Sequence, residues 1–275
     1  MLILIPSKSI INPRSVQGLN VWFDATTGLF DATSGGNPVT TNGASIARWE
    51  DQSGNGWHLT QASGGARPTL LTNALNSKNG VNFNGSSQYI FDSTTSSCQL
   101  TNNKLFVFFV FRFDTYVSTA TVYPMQKGGG YTSNVSGQWN IRRWDKSPYG
   151  GSPGTFETQI NTNGLWEFGA ANYSSTSYQY AVFTFPRTTV RTVSGQLIIN
   201  DVVNTTKTGI SDNGAPGSAT LHKFSIGSGL TGTGYSPHSY FDGVICEVAI
   251  YLRQSDFTQK QYQGLSKYFR KKWGI

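Results

Sequence analysis

The sharpest local motif in this sequence is Asp51-Gln-Ser-Gly-Asn-Gly56, where oxygen-bearing side chains alternate along a short glycine-containing run. Oxygens at alternate loop positions are how a hard cation such as calcium is held, so Asp51, Ser53 and Asn55 are candidate metal ligands. A complete helix-flanked calcium loop would also need a bidentate glutamate at its twelfth position, and the chain has Ala62 there. The competing reading is a tight turn, with Asp51 and Ser53 bonded to backbone amides and the glycines at positive φ. Calcium stays an alternative, and no other cofactor is expected. Glycoside hydrolysis needs two facing carboxylates, and a strand supplies them from alternate positions. The four glutamates (Glu50, Glu157, Glu167 and Glu247) begin no E-x-D-x-x-E run. Gly150-Gly-Ser-Pro-Gly154 fits G-x-S-x-G in letters. No strand precedes it, no helix follows, and Pro153 lacks the N–H an oxyanion hole would use. No catalytic residue is assigned, and the chain is expected not to be an enzyme.

Recognition residues are easier to find. Tyr131, Trp144, Tyr149, Tyr235 and Tyr240 lie in or beside connections rich in Gly, Ser and Asn, with Arg142 and Arg143 flanking them. Flat apolar rings among adaptable hydrogen-bonding groups suit sugar rings and protein surfaces alike. The competing reading is that such rings cover neighbouring strands. His238, after Tyr235-Ser-Pro237, is the one histidine placed with these candidates. His58 and His222 fall on predicted strands. Cys98 and Cys246 show no metal spacing and are read as free buried thiols.

Short β-branched or alternating runs, separated by Gly, Asn, Ser and Pro clusters, must position these residues. Strands are expected at 19–23, 47–50, 57–60, 81–84, 88–91, 138–143, 165–170, 180–185, 196–200, 221–227 and 241–251. The run Leu105 to Phe113 is apolar at every position but Arg112, which suits a central strand buried on both faces. Connections at 127–137, 144–155 and 228–238 are expected to be loops. One helix is expected over 255–273, capped by Ser255 and weakened at Gly264, as a strap across the sandwich.

Charge and hydropathy narrow the partners. The formal charge is +7, yet the basic residues are scattered apart from Arg142-Arg143 and Arg270-Lys271-Lys272. The second cluster ends the predicted helix, where cations suit the helix dipole. No nucleic-acid partner is expected. No run reaches the roughly 18 apolar residues of a membrane span. Met1-Leu-Ile-Leu-Ile-Pro6 is too short for a signal-peptide core, so no signal peptide is expected. Residues 1–18 form an arm whose Leu2, Ile3, Leu4 and Ile5 need cover, by adding a strand to this sheet or to a neighbour's.

Five blocks carry a resemblance. Leu19-Asn-Val-Trp-Phe-Asp-Ala25, Trp49-Glu-Asp-Gln-Ser-Gly-Asn-Gly56 and Asn79-Gly-Val-Asn-Phe-Asn-Gly85 come first. Phe241-Asp-Gly-Val-Ile-Cys-Glu-Val-Ala-Ile-Tyr251 and Tyr268-Phe-Arg-Lys-Lys-Trp-Gly-Ile275 follow. In this order they resemble the concanavalin-A-like and laminin-G-like domains of phage virion and bacterial surface proteins. The resemblance implies one all-β, concanavalin-A-like jelly-roll sandwich over 19–275, made of two antiparallel sheets with one C-terminal helix.

Such a fold hosts many functions. The expectation is a non-enzymatic virion surface protein, a phage capsid decoration or fibre protein. It would be made in the host cytoplasm, dock on a capsid or other virion protein, and take up a host-surface polysaccharide. Homo-oligomers through the arm fit the same picture. The alternative is a stand-alone, lectin-like carbohydrate-binding module, with a polysaccharide hydrolase or lyase behind it.

Overall fold

The computed structural model describes residues 11–92, 94–100, 104–115, 121–128, 138–144, 155–161, 165–170, 176–185, 193–210, 222–231 and 236–275. The first strands are β1 (Leu19–Asp24), β2 (Leu29–Phe30), β3 (Arg48–Trp49), β4 (Leu59–Thr60), β5 (Thr69–Leu75), β6 (Lys78–Asn84) and β7 (Ile90–Asp92). Next come β8 (Lys104–Phe113), β9 (Val122–Lys127), β10 (Gln138–Trp144), β11 (Thr155–Asn161), β12 (Leu165–Ala170) and β13 (Gln179–Phe185). The last are β14 (Val193–Ile199), β15 (Val202–Ile210), β16 (Phe224–Ile226), β17 (Gly229–Thr231), β18 (Ser236–His238) and β19 (Asp242–Arg253), followed by α1 (Gln259–Trp273).

These strands build two large antiparallel sheets. The first runs β15-β14-β13-β8-β19-β6-β5, and the second runs β12-β11-β10-β9-β16-β7-β4-β3-β2. β19 organises the first sheet. It pairs with β8 along one edge, while β6 and β1 share its other edge, β6 opposite residues 242–245 and β1 opposite 247–251.

β8 shows why the sequence takes this form. Leu105, Val107, Phe109, Phe111 and Phe113 enter the core between the sheets. Phe106, Phe108 and Val110 point the other way, into a second cluster with Leu265, Phe269 and Trp273 of α1. A sheet covered on both faces needs a near-continuous apolar strand, which is what this run supplies. Each fully buried Phe contributes roughly 1.5–3 kcal/mol relative to an exposed one.

The helix begins at Gln259, later than the expected 255. Its cap is Thr258 rather than Ser255, because Thr258 and Gln261 form a reciprocal capping box. Asp256 pairs instead with Lys104. Gly264 has a packing reason: a Cβ there would meet Ile11 Cδ1 at 2.4 Å, so the chain entering the sandwich lies directly on the helix.

A bulge in β19 fixes the helix in place. The register slips between Ile245 and Glu247, so Cys246 and Glu247 both leave the inter-sheet core and face α1. The Glu247 carboxylate is fully buried. It accepts N–H bonds from Trp22 (2.7 Å) and Trp273, and an O–H bond from Tyr268 (3.1 Å). Lys272 pairs with it at 2.9 Å and also reaches Asp24. Burial, and then the Asp24 charge, push the Glu247 pKa up, while Lys272 opposes them. Cys98 and Cys246 are both free and buried, and burial raises both thiol pKa values.

Candidate functional site

The expected sites divide into those the structure places and those outside the described residues. Tyr131, Tyr149, Tyr235 and the arm residues Leu2, Ile3, Leu4 and Ile5 lie outside them, as does the side chain of Trp144, which ends β10 opposite Thr155. Arg142, Arg143, His238, Tyr240, Asp51, Ser53 and Asn55 are all placed.

The Asp51 loop is a hydrogen-bonded turn. Asp51 Oδ1 accepts the N–H groups of Trp22 (2.9 Å) and Ser53 (2.8 Å). Its Oδ2 accepts from Ser53 Oγ (2.7 Å) and the Trp57 N–H (3.2 Å). Asn55 Nδ2 donates to the Leu19 and Asn20 carbonyls of β1, and Ser53 Oγ lies 3.1 Å from the Asn20 carbonyl. The alternating oxygens thus staple the loop to the first strand, and each Asp51 oxygen already accepts two bonds. Among the described residues, no group of three or more His, Cys, Asp or Glu is placed to hold a metal ion.

The 228–238 connection is not an open loop. β17 and β18 pair within it, and the hairpin lies on β9, where Leu230 N–H bonds Gln126 Oε1 at 2.6 Å. His238 serves this packing. Its ring meets Tyr123 edge-on at 5.4 Å, and its Nδ1 lies 3.0 Å from Ser239 Oγ. Burial lowers its pKa. Arg142 sits fully buried on β10, so it belongs to the sheet rather than to an exposed loop.

Tyr240 and Arg143 come together in a cavity of about 350 Å³ at one end of the sandwich. The first sheet contributes Asn84 at the end of β6 and Gly85 after it, Phe113 at the end of β8 and Thr115 beyond it, and Asp242 at the start of β19. The second contributes Thr121 and Val122 at β9 and Arg143 of β10, and Ser239 and Tyr240 complete the rim. Phe113 and Arg143 are almost fully buried and form the floor, the guanidinium lying 5.2 Å from the ring centre.

A polar chain crosses this cavity. Arg143 Nη1 donates to the Thr115 carbonyl at 3.1 Å, and Thr115 Oγ1 donates to Asp242 Oδ2. Asn84 Oδ1 is committed to its own turn, accepting the N–H groups of Ser86, Ser87 and Gln88. Gly85 has φ +69°, and a Cβ there would press on Asp242 Cβ at 2.7 Å, so only glycine lets this wall close up. Ser239 holds the left-handed region at φ 51° and turns the chain from the β18 hairpin into the rim. Tyr240 is half-buried; burial, and then neighbouring Tyr89, raise its pKa, so it stays a neutral phenol at physiological pH.

Sequence reasoning found Tyr240 and noted Arg143, but missed Asp242, Thr115 and Ser239. Asp242 and Gly85 both lie in blocks that carried the resemblance, so a signal existed. Nothing in the linear order of Thr115 pointed to the cavity.

No protein-family model matches this sequence, and no curated protein matches it. Solved structures do share its fold. The binding domain of botulinum neurotoxin serotype D aligns over 92% of this chain and 51% of its own, at 11% identity and TM-score 0.55. A GH54 α-L-arabinofuranosidase soaked with a cyclic sulfate inhibitor aligns over 81% and 50%, at 16% identity and TM-score 0.52. An arabinofuranosidase complexed with arabinofuranosyl-α-1,2-xylobiose aligns over 81% and 50%, at 15% identity and TM-score 0.51. The chain spans about half the length of each. At these identities the likeness is one of fold: an antiparallel, jelly-roll-like β-sandwich.

Proposed function

We propose that this chain is a carbohydrate-binding module that takes a sugar unit into the cavity at the end of its sandwich. The observation that carries this reading is the lining. Asp242 accepts hydroxyl protons, Arg143, Thr115 and Ser239 supply further polar contacts, and the Tyr240 ring offers an apolar face at the rim. Small cavities with a few convergent polar groups and an aromatic wall are the usual form of a small-ligand site. One fold neighbour is complexed with arabinofuranosyl-α-1,2-xylobiose, which supports a sugar as the ligand class. The role proposed is binding without turnover. Glu247, whose carboxyl pKa is raised by burial, is locked beneath α1 and away from the cavity.

A glycan array with the wild type and Asp242→Asn tests this. Neutral glycans bound by the wild type and lost by the variant are expected. An array silent for the wild type, or retention of every hit by Asp242→Asn, would overturn the reading.

The finer setting proposed is the surface of a virion, with the module attached to a capsid or another virion protein. The sequence blocks support it. So does a groove of about 830 Å³ between α1 and the β14–β15 hairpin, lined in part by Val203, which is 54% exposed. Co-sedimentation with capsids that is lost in Val202→Asp/Val203→Asp is the expected result. Equal sedimentation of both proteins would remove the groove from the account.

A further inference from the structure

We infer that the bound glycan is an uncharged chain: its terminal unit fills the cavity, and its next units run over Tyr240, Tyr89 and Phe91. This rests on the carbohydrate reading above and adds the direction, minimum length and charge of the ligand.

The direction comes from the aromatic residues outside the cavity. Tyr240 on the rim lies 6.3 Å from Tyr89, which lies 5.7 Å from Phe91. All three are only partly buried. Ile90 of β7 points into the core, so Phe91 projects from the outer face of the second sheet. The row therefore leads away from the cavity across that face. Its centroid spacing is close to the length of one sugar unit in an extended chain. Lys223 Nζ lies 4.6 Å from the Phe91 ring centre and supplies a donor for hydroxyls at the far end.

Length follows from size: a cavity of about 350 Å³ has room for a single sugar unit, so the rest of a chain must lie outside it. The charge follows from the lining: the opposite charges of Asp242 and Arg143 share one small cavity, so it holds no net counter-charge for an acidic sugar.

Calorimetric titration of the full chain with xylose, arabinose, glucose and galactose, and with their linear neutral oligomers of two to six units, tests this. Sialyllactose and oligogalacturonides serve as acidic comparators. Affinity is expected to rise about fivefold for each of the second and third units and then level off. Tyr89→Ala, checked for an unchanged melting curve, is expected to pull the longer oligomers down toward the monosaccharide value, and Tyr89→Phe to restore them. Affinity independent of length, no effect of Tyr89→Ala, or tighter binding of the acidic comparators would overturn this inference while leaving the cavity reading in place. No binding of any sugar would overturn the cavity reading itself.

Discussion

Replacing Lys272 with methionine keeps the stem of the side chain but removes the cation that pairs with buried Glu247. The carboxylate would keep its bonds from Trp22, Trp273 and Tyr268. It would then face Asp24 with no cation between them. Removing one partner of a buried pair costs about 3–5 kcal/mol, because the remaining charge stays desolvated. For a chain of this size that corresponds to a fall in melting temperature on the order of 10 °C. The loss should depend on pH. Burial already raises the Glu247 pKa, and Lys272 holds it down, so Lys272→Met lifts it further. A carboxyl with a raised folded-state pKa favours the fold fully below its unfolded value, and that contribution disappears as pH rises through the folded value. The deficit of Lys272→Met should therefore be greatest at neutral pH and shrink as the solution is acidified. Thermal melts followed by circular dichroism across that range measure it, with Lys272→Met/Glu247→Gln expected to regain most of the loss. A deficit below about 1 kcal/mol at neutral pH, the level of an exposed pair, would refute the view that this cluster locks α1 to the sheet. So would a deficit that does not change with pH.

Four other perturbations follow from the same geometry. Burial lifts the Asp92 pKa from 3.8 to about 6 despite Lys127, the Ser97 hydroxyl and the Phe224 N–H. Stability should therefore fall by about 3 kcal/mol as pH rises through that window, and Asp92→Asn should flatten the slope in a urea-melt series. Asp51→Ala strips four donors of their acceptor and should cost about 3 kcal/mol in the same melts. Calcium added to the wild type should leave the melting temperature unchanged, whereas a saturable rise would restore Asp51, Ser53 and Asn55 as ligands. Gly264→Ala, favourable by helix propensity alone, should instead destabilise by about 1 kcal/mol because the new methyl meets Ile11. Gly264→Ala/Ile11→Ala should melt above Gly264→Ala, and a more stable single variant would refute the contact.

The fold was legible where one pattern dominated. Leu105 to Phe113 read as a strand covered on both faces, and the C-terminal apolar spacing read as a helix strapped across the sandwich; both are present. Short strands such as Leu29–Phe30 were not legible, since two residues carry no periodicity. Strand Val122–Lys127 was hidden because Pro124 and buried Lys127 break the expected apolar pattern, and Lys127 is satisfied by the Thr95 carbonyl and the nearby Asp92 charge. The helix start was misplaced because Ser255-Asp256 looks like a cap locally, while the reciprocal bonds of Thr258 and Gln261 decide it in space. The candidate site was legible only in part. Aromatic residues announce themselves by type, so Tyr240 stood out. Asp242, Thr115 and Arg143 meet only because β8 and β10 end, and β19 begins, at the same edge of the sandwich, and no spacing in the sequence encodes that meeting.

The most direct test of the carbohydrate reading is a backbone-amide NMR titration with the tightest neutral oligosaccharide from the calorimetric series. Shifts centred on Thr115, Ser239, Tyr240 and Asp242, saturating with the calorimetric affinity, are the predicted result. Saturable shifts confined to the α1 groove or to the Asp51 loop, with the cavity amides unmoved, would contradict it.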